Sequence, residues 1–273
     1  MIFRRRSKLS DHGKWLVDAK RIVVKIGSNS VTGKNQGKID QLVDALAEAM
    51  GRGAEVVLVS SGAIATGMPL FDFDEKPTDL DTFQALAAVG QFRLLARYQK
   101  SLERHSIIAG QVLLTLTDIE KQESRDNAKK ALERLFQLRA LPIVNENDTV
   151  ATTEIRFGDN DRLAAMVAIL LQADALVLLS DVDGLYDMPP TNPQAKLIPR
   201  VPFGLDLSNL EIAGTNTGVG TGGAITKVAA AASCTEAGIG VVITNADNVA
   251  RTLSGESLGT FFEPNPQIKI ARK

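Results

Sequence analysis

One cysteine and two histidines in 273 residues remove several chemistries at the outset. The single Cys234 allows no intrachain disulfide, and in its alanine-rich stretch it reads as a small core residue. Such sparing use of cysteine fits a reducing compartment. His12 and His105 show neither the spacing of a zinc site nor a neighbouring nucleophile, so neither metal ligation nor a triad has support. Charge of one sign is just as scarce. The 31 Lys and Arg against 32 Asp and Glu leave a net charge of −1, which argues against broad attraction to nucleic acid or anionic membranes. The most apolar run, Leu163 to Leu171, is too short to cross a bilayer before Gln172 and Asp174 interrupt it. The N-terminal MIFRRRSKLSDHGKW is basic but lacks the apolar stretch of a secretory signal, and reads as a solvated leader. A cytoplasmic protein with a full core is the expectation.

What is present is an alternation of strand-like and helix-like segments. Arg21 to Ile26 and Glu55 to Val59 are β-rich apolar runs that end at Gly27 and at Ser60-Ser61-Gly62. Between them Ile39, Leu42, Val43, Leu46 and Met50 keep helical spacing until Gly51 and Gly53. A helix is expected over about Thr82 to Arg104, a strand near Ile107 to Leu114, a helix through Ala128 to Leu135 and a strand from Leu141 to Val144. Thr149 to Phe157 alternates like a hairpin. A helix then runs to Leu171, followed by a strand from Ala175 to Leu179, a helix from Lys227 to Ala237 and a strand from Gly240 to Thr244. This βαβα order predicts an α/β protein, an αβα sandwich with a mainly parallel central sheet. The proline-rich stretch 187–203 reads as a loop-rich connection.

Polar clusters fall where these strands end, the place where open α/β sheets hold ligands. Lys25-Ile-Gly27-Ser28 offers a positive charge and a glycine that admits close approach to the backbone. Ser60-Ser61-Gly62 suits either an anion at a helix start or plain N-capping, and on its own capping is the simpler reading. Asn145-Glu-Asn-Asp148 and Gly158-Asp-Asn-Asp161 together supply four carboxylates and three amides. A zwitterionic ligand needs such a mixture, although turns favour the same residues. Ser180-Asp181 follows another buried strand. Gly218 to Lys227 is glycine-rich but lacks P-loop spacing, and it leads into a helix with a lysine in its first turn. That lysine opposes the helix dipole and calls for a compensating anion.

Taken together, VVKIGS, LVSSGAIATG, QALAAVGQ, LPIVNENDTVATTEIRFGDND, LLSDVDGLY and GTGGAITK resemble the amino-acid kinase family. They occur in the family's order over roughly residues 21–262. NENDTVATTEIRFGDND joined to GTGGAITK points to the branch that phosphorylates the γ-carboxylate of L-glutamate with ATP, the first step of proline biosynthesis. The resemblance implies a single domain over 1–273, with a glutamate-binding half at about 21–175 and an ATP-binding half at about 176–262. It implies catalytic roles for Lys25, Lys227 and Asp161, with the two lysines neutralising the phosphoryl group in flight and Asp161 holding them. Ser61, Asp148 and Asn160 would bind glutamate. Lys25, Ser180, Asp181, Thr221, Gly222, Gly223, Ala224, Ile225, Thr226 and Lys227 would bind ATP, with Mg2+ bridging its phosphates.

The resemblance also implies a homo-oligomer, proline as a feedback inhibitor and hand-over of the product to glutamyl phosphate reductase. Many bacterial relatives carry a C-terminal PUA domain, and a chain ending at Lys273 is expected to be a short form without it. GSNS stands where relatives often have GTS, and residues 68–81 are less family-like. The nearest rivals are kinases of acetylglutamate or aspartate. Acetylglutamate kinases resemble KxGG after the first strand, whereas Lys25-Ile-Gly27-Ser28 has no second glycine. A non-catalytic ligand sensor on the same fold is the rival from another class, and the presence of Lys25, Asp161 and Lys227 argues against it.

Overall fold

A computed structural model describes residues 12–75, 77–150, 160–207 and 223–270. The described elements run α1 (His12–Asp18), β1 (Arg21–Ile26), α2 (Lys38–Gly51), β2 (Glu55–Ser60), α3 (Ala63–Gly67) and α4 (Leu80–Leu102). There follow β3 (Ala109–Leu114), α5 (Leu116–Glu120), α6 (Gln122–Gln137), β4 (Leu141–Glu146), α7 (Asn160–Leu170) and β5 (Ala175–Ser180). The last described elements are β6 (Arg200–Val201), α8 (Ala224–Glu236), β7 (Gly240–Asn245), α9 (Val249–Leu253) and β8 (Thr260–Phe262).

All eight described strands form one sheet in the order β3-β4-β2-β1-β5-β7-β8-β6. Every pairing is parallel except β7 with β8. A parallel strand is covered on both faces, which is why β1, β4 and β5 are buried at every position and read as unbroken apolar runs. Alternate residues serve two separate cores. Val23, Val57, Val59, Val144, Leu176 and Leu178 pack with α5 to α8, whereas Ile22, Val24, Leu58, Ile143 and Val177 pack with α2, α4 and α9. The expected αβα sandwich is therefore the observed one. Lys25 follows Val23 by two and so lies on the α7–α8 side of β1.

The strand order reverses at β1: chain order proceeds outward through β2 and β4 on one flank and through β5 and β7 on the other. The C-terminal ends of β1, β2, β4, β5 and β7 consequently share one edge of the sheet.

Three expectations need correction. Residues 12–18 are not a solvated leader: they form α1, whose Leu16 is buried and whose His12 and Trp15 rings lie 5.2 and 5.0 Å from that of Phe261. The 187–203 connection is more ordered than its prolines suggest, with an antiparallel bridge between Tyr186 and Leu197 and with β6 pairing to β8. Of the hairpin expected at 149–157, Thr149 and Val150 belong instead to a short 3-10 turn, and the rest lies outside the described residues.

Candidate functional site

The first group of side chains gathers around Asp161, the second residue of α7. Its Oδ1 lies 2.8 Å from Lys25 Nζ and its Oδ2 lies 3.2 Å from Lys227 Nζ. The Thr226 hydroxyl donates to Oδ2 at 2.8 Å. All three charged residues are buried. Burial on its own raises the Asp161 pKa, but the positive charges of Lys25 and Lys227, with hydrogen bonds from Lys25 and Thr226, outweigh it and hold the carboxyl below its ordinary value. A helix N-terminus favours a carboxylate, so α7 adds to this preference. Lys227 was expected to need an external anion near the start of α8. Asp161 already serves as one, so the lysine's position alone is weaker evidence for a phosphate than it first reads.

Gly27 lies beside this cluster at the end of β1. A Cβ placed there would meet only Lys25 Nζ, at 3.9 Å. The glycine thus lies directly beside the ammonium. On the ATP side, Gly223 is the N-cap of α8, and Ala224, Ile225, Thr226 and Lys227 form its first turn. Thr221 and Gly222 lie outside the described residues. Ser180 ends β5, one strand from Lys25, with its hydroxyl 3.3 Å from Asp181 Oδ1. The Asp181 carbonyl accepts from Asn245 Nδ2, at the end of β7, at 3.5 Å.

The second group gathers around Asn160, one residue before Asp161. Its Nδ2 donates to the Ser60 carbonyl at 2.9 Å, to Ser61 Oγ at 2.9 Å and to Asn145 Oδ1 at 2.8 Å. The reading of Ser60 and Ser61 as helix caps is overturned, because Gly62, with φ of 109°, is the N-cap of α3 and no side chain caps it. Ser61 instead accepts from Asn160, which leaves its own hydroxyl hydrogen available to donate to a ligand. Ser60 Oγ bonds the Tyr98 hydroxyl at 2.9 Å, and burial pushes the Tyr98 pKa up.

Asp148 opens the turn after β4, which packs on α4, and it is half-buried. The crowding around it and the negative charge of Glu146 push its carboxyl up to about 7. The negative charge of Glu146 and of an ionised Asp148 gives this turn an electrostatic preference for a cation.

The edge thus holds a cationic cluster at two helix starts beside a polar group of acidic and amide side chains. Among the described residues no three His, Cys, Asp or Glu side chains converge to cage a metal ion. Tyr98 on α4 was not singled out from sequence, since it looks like an ordinary helix residue, and Gln91 entered only as the last residue of QALAAVGQ, with no role of its own.

The model of the amino acid kinase family matches residues 20–245. A glutamate 5-kinase of Clavibacter sepedonicus is 61% identical over 91% of this chain and 96% of its own length. One of Leifsonia xyli subsp. xyli is 58% identical over 96% of this chain and 97% of its own. A glutamate 5-kinase of Salinispora arenicola is 52% identical and is covered over 70% of its length. Among solved structures, a carbamate kinase from Giardia lamblia bound to AMP-PNP superposes with a TM-score of 0.63 over 91% of this chain and 100% of that one. At 16% identity that likeness speaks to the fold alone.

Proposed function

The chain belongs to the amino acid kinase family, and on that premise we propose that it transfers the γ-phosphoryl group of ATP to the γ-carboxylate of L-glutamate, giving L-glutamyl 5-phosphate and ADP. The observation that carries this reading is the buried Asp161 joining Lys25 of β1 to Lys227 of α8, one residue from the Asn160 that ties together the ends of β2 and β4. Glutamate 5-kinases at 50–61% identity, covering most of this chain, support the choice of acceptor.

In this reading a γ-carboxylate oxygen of glutamate bonds to the γ-phosphorus as the bridging oxygen to ADP departs. The nucleophile is already ionised, so no general base is required and no proton moves. Phosphoryl transfer then depends on placement and charge. Lys25 and Lys227 stabilise the equatorial oxygens from two sides, and Asp161 fixes both ammonium groups. Asp148 receives the α-ammonium of glutamate, and the Ser61 hydroxyl and Asn160 orient the rest of the molecule. The start of α8, Ser180 and Asp181 hold the nucleotide. A Mg2+ brought in with ATP would be carried largely by phosphate and water oxygens and would supply neutralising charge there, in keeping with the lack of a carboxylate cage among the described residues. The halves at 21–175 and 176–262, a cytoplasmic location, a homo-oligomeric assembly, inhibition by proline and consumption of the product by a reductase belong to the same proposal. A free α-ammonium is what the Glu146–Asp148 pair suits, and acetylation would remove it.

The test is ADP release with hydroxylamine trapping of the acyl phosphate, using L-glutamate, L-aspartate and N-acetyl-L-glutamate in turn. Hydroxamate should form fastest with glutamate. Faster turnover of either rival would reassign the acceptor, and ADP release from none would favour a ligand sensor.

A further inference from the structure

We infer that Gln91 is a positioning residue for acceptor binding: its side-chain oxygen accepts from Asn145 and so closes the hydrogen-bond network that holds the amides of Asn145 and Asn160 in one orientation. This deepens the reading above and rests on it, since it takes Asn160 as a contact for the amino-acid substrate.

An amide side chain can present oxygen or nitrogen in a given direction, and its orientation follows from partners that can only donate or only accept. The chain of such partners is complete here. The Glu146 backbone N–H can only donate, and it lies 2.9 Å from Asn145 Oδ1. Asn145 must therefore turn its oxygen that way and its Nδ2 the other. That Nδ2 donates to Gln91 Oε1 at 2.5 Å, so Gln91 closes the pattern as an acceptor. Asn145 Oδ1 in turn requires a donor from Asn160, whose Nδ2 lies 2.8 Å away, and the Ser60 carbonyl at 2.9 Å makes the same demand. Asn160 is thereby held with Nδ2 towards β2 and β4 and with Oδ1 on the other side. Asn145 and Asn160 are both buried, where a flipped amide would face oxygen to oxygen.

Gln91 is itself held in place. It follows Gly90, where α4 crosses α3 so closely that a Cβ would sit 1.8 Å from the Ala63 carbonyl oxygen. Ala63 begins two residues after Ser61. The crossing therefore sets Gln91 and the Ser61 loop in one rigid unit, and the amide lock reads across from that unit to Asn160.

Polarity, not bulk, is what the inference requires, and three variants separate the two. Gln91→Glu keeps an acceptor, Gln91→Met keeps the shape without one, and Gln91→Lys offers only donors. Steady-state kinetics should give a glutamate KM within about threefold of wild type for Gln91→Glu and raised by roughly tenfold for Gln91→Met. Gln91→Lys should raise it further, since it forces Asn145 to turn its oxygen outward. The ATP KM should stay within about twofold in all three, because among the described residues the amide hydrogen bonds of the network run to α4, β2 and β4. Equal glutamate KM values for the Glu and Lys variants would overturn the inference. Should the Met variant melt early, the Glu–Lys comparison still decides. Asn160→Ala serves as the control: if it raises the glutamate KM while Gln91→Lys does not, the lock is wrong and the substrate reading stands. If Asn160→Ala also leaves the glutamate KM unchanged, the acceptor-site reading has failed and this inference with it.

Discussion

Lys227 occupies the first turn of α8, where its charge opposes the helix dipole, and Asp161 meets that cost in the resting protein. A group so held is ready for charge that develops late, as bonds to the transferring phosphoryl loosen. Replacing Lys227 with Met should therefore lower kcat by roughly 10²–10³ while the ATP KM changes far less. Near-normal kcat in that variant would remove Lys227 from the catalytic map. Asp148 gives a second prediction through its raised pKa of about 7. Below that pH it is largely protonated and must release a proton before it can pair with an ammonium. The value of kcat/KM for glutamate should therefore fall about tenfold per pH unit on the acid side of 7 and level off above it. Asp148→Asn should give a lower and flatter profile between about pH 5.5 and 8. An acid limb that persists unchanged in that variant would assign the titration to another group.

The α3–α4 crossing shows how an element depends on two glycines. A Cβ at Gly67 would lie 2.1 Å from the Leu86 carbonyl oxygen, and one at Gly90 would lie 1.8 Å from that of Ala63. Alanine has the better helix propensity by about 0.8–1 kcal/mol, but the clash is with backbone atoms that cannot step aside. Overpacking of this kind costs about 1–3 kcal/mol or more, so Gly90→Ala should be destabilised in urea despite its propensity. A more stable variant would show the helices free to separate. These elements also show what the sequence could carry. The buried strands and α2 were legible because both-face burial and helical spacing leave a local trace. α1 and β8 were not, because α1 buries little apolar surface of its own and is held by Phe261 from the far end of the chain. At the site, Lys25, Asp161 and Lys227 were legible through strings of residues that occur together. Gln91 ends another such string, QALAAVGQ, but its role could not be read there, because it depends on Asn145, 54 residues away. The Ser60-Ser61 reading failed for the same reason: local chemistry favours a cap, and Asn160 overrides it from a different helix.

Across the whole molecule, the sheet edge brings the proposed acceptor groups from β2, β4 and α7 against the proposed nucleotide groups from β5 and α8, with Lys25 of β1 between them. All of these described groups come from one chain, and α7 supplies both Asn160 for one side and Asp161 for the other. Any assembly of this protein should accordingly stabilise or regulate complete sites without lending them catalytic side chains. That has a consequence that mixing experiments can read. Lys227→Met damages the phosphoryl-transfer side and Asp148→Ala the acceptor side. If each chain builds its own site, co-refolding the two variants in equal amounts should give no more activity than the average of the two alone. A site shared between protomers would behave differently: mixed dimers would regain one intact site, and activity would rise towards a quarter of wild type or more in a random mixture. The intact purified chain should likewise turn over glutamate and ATP with no second protein present, because every group assigned to the chemistry resides in it. Restoration of activity on mixing would place part of the site across an interface and would redraw the boundary of the catalytic unit.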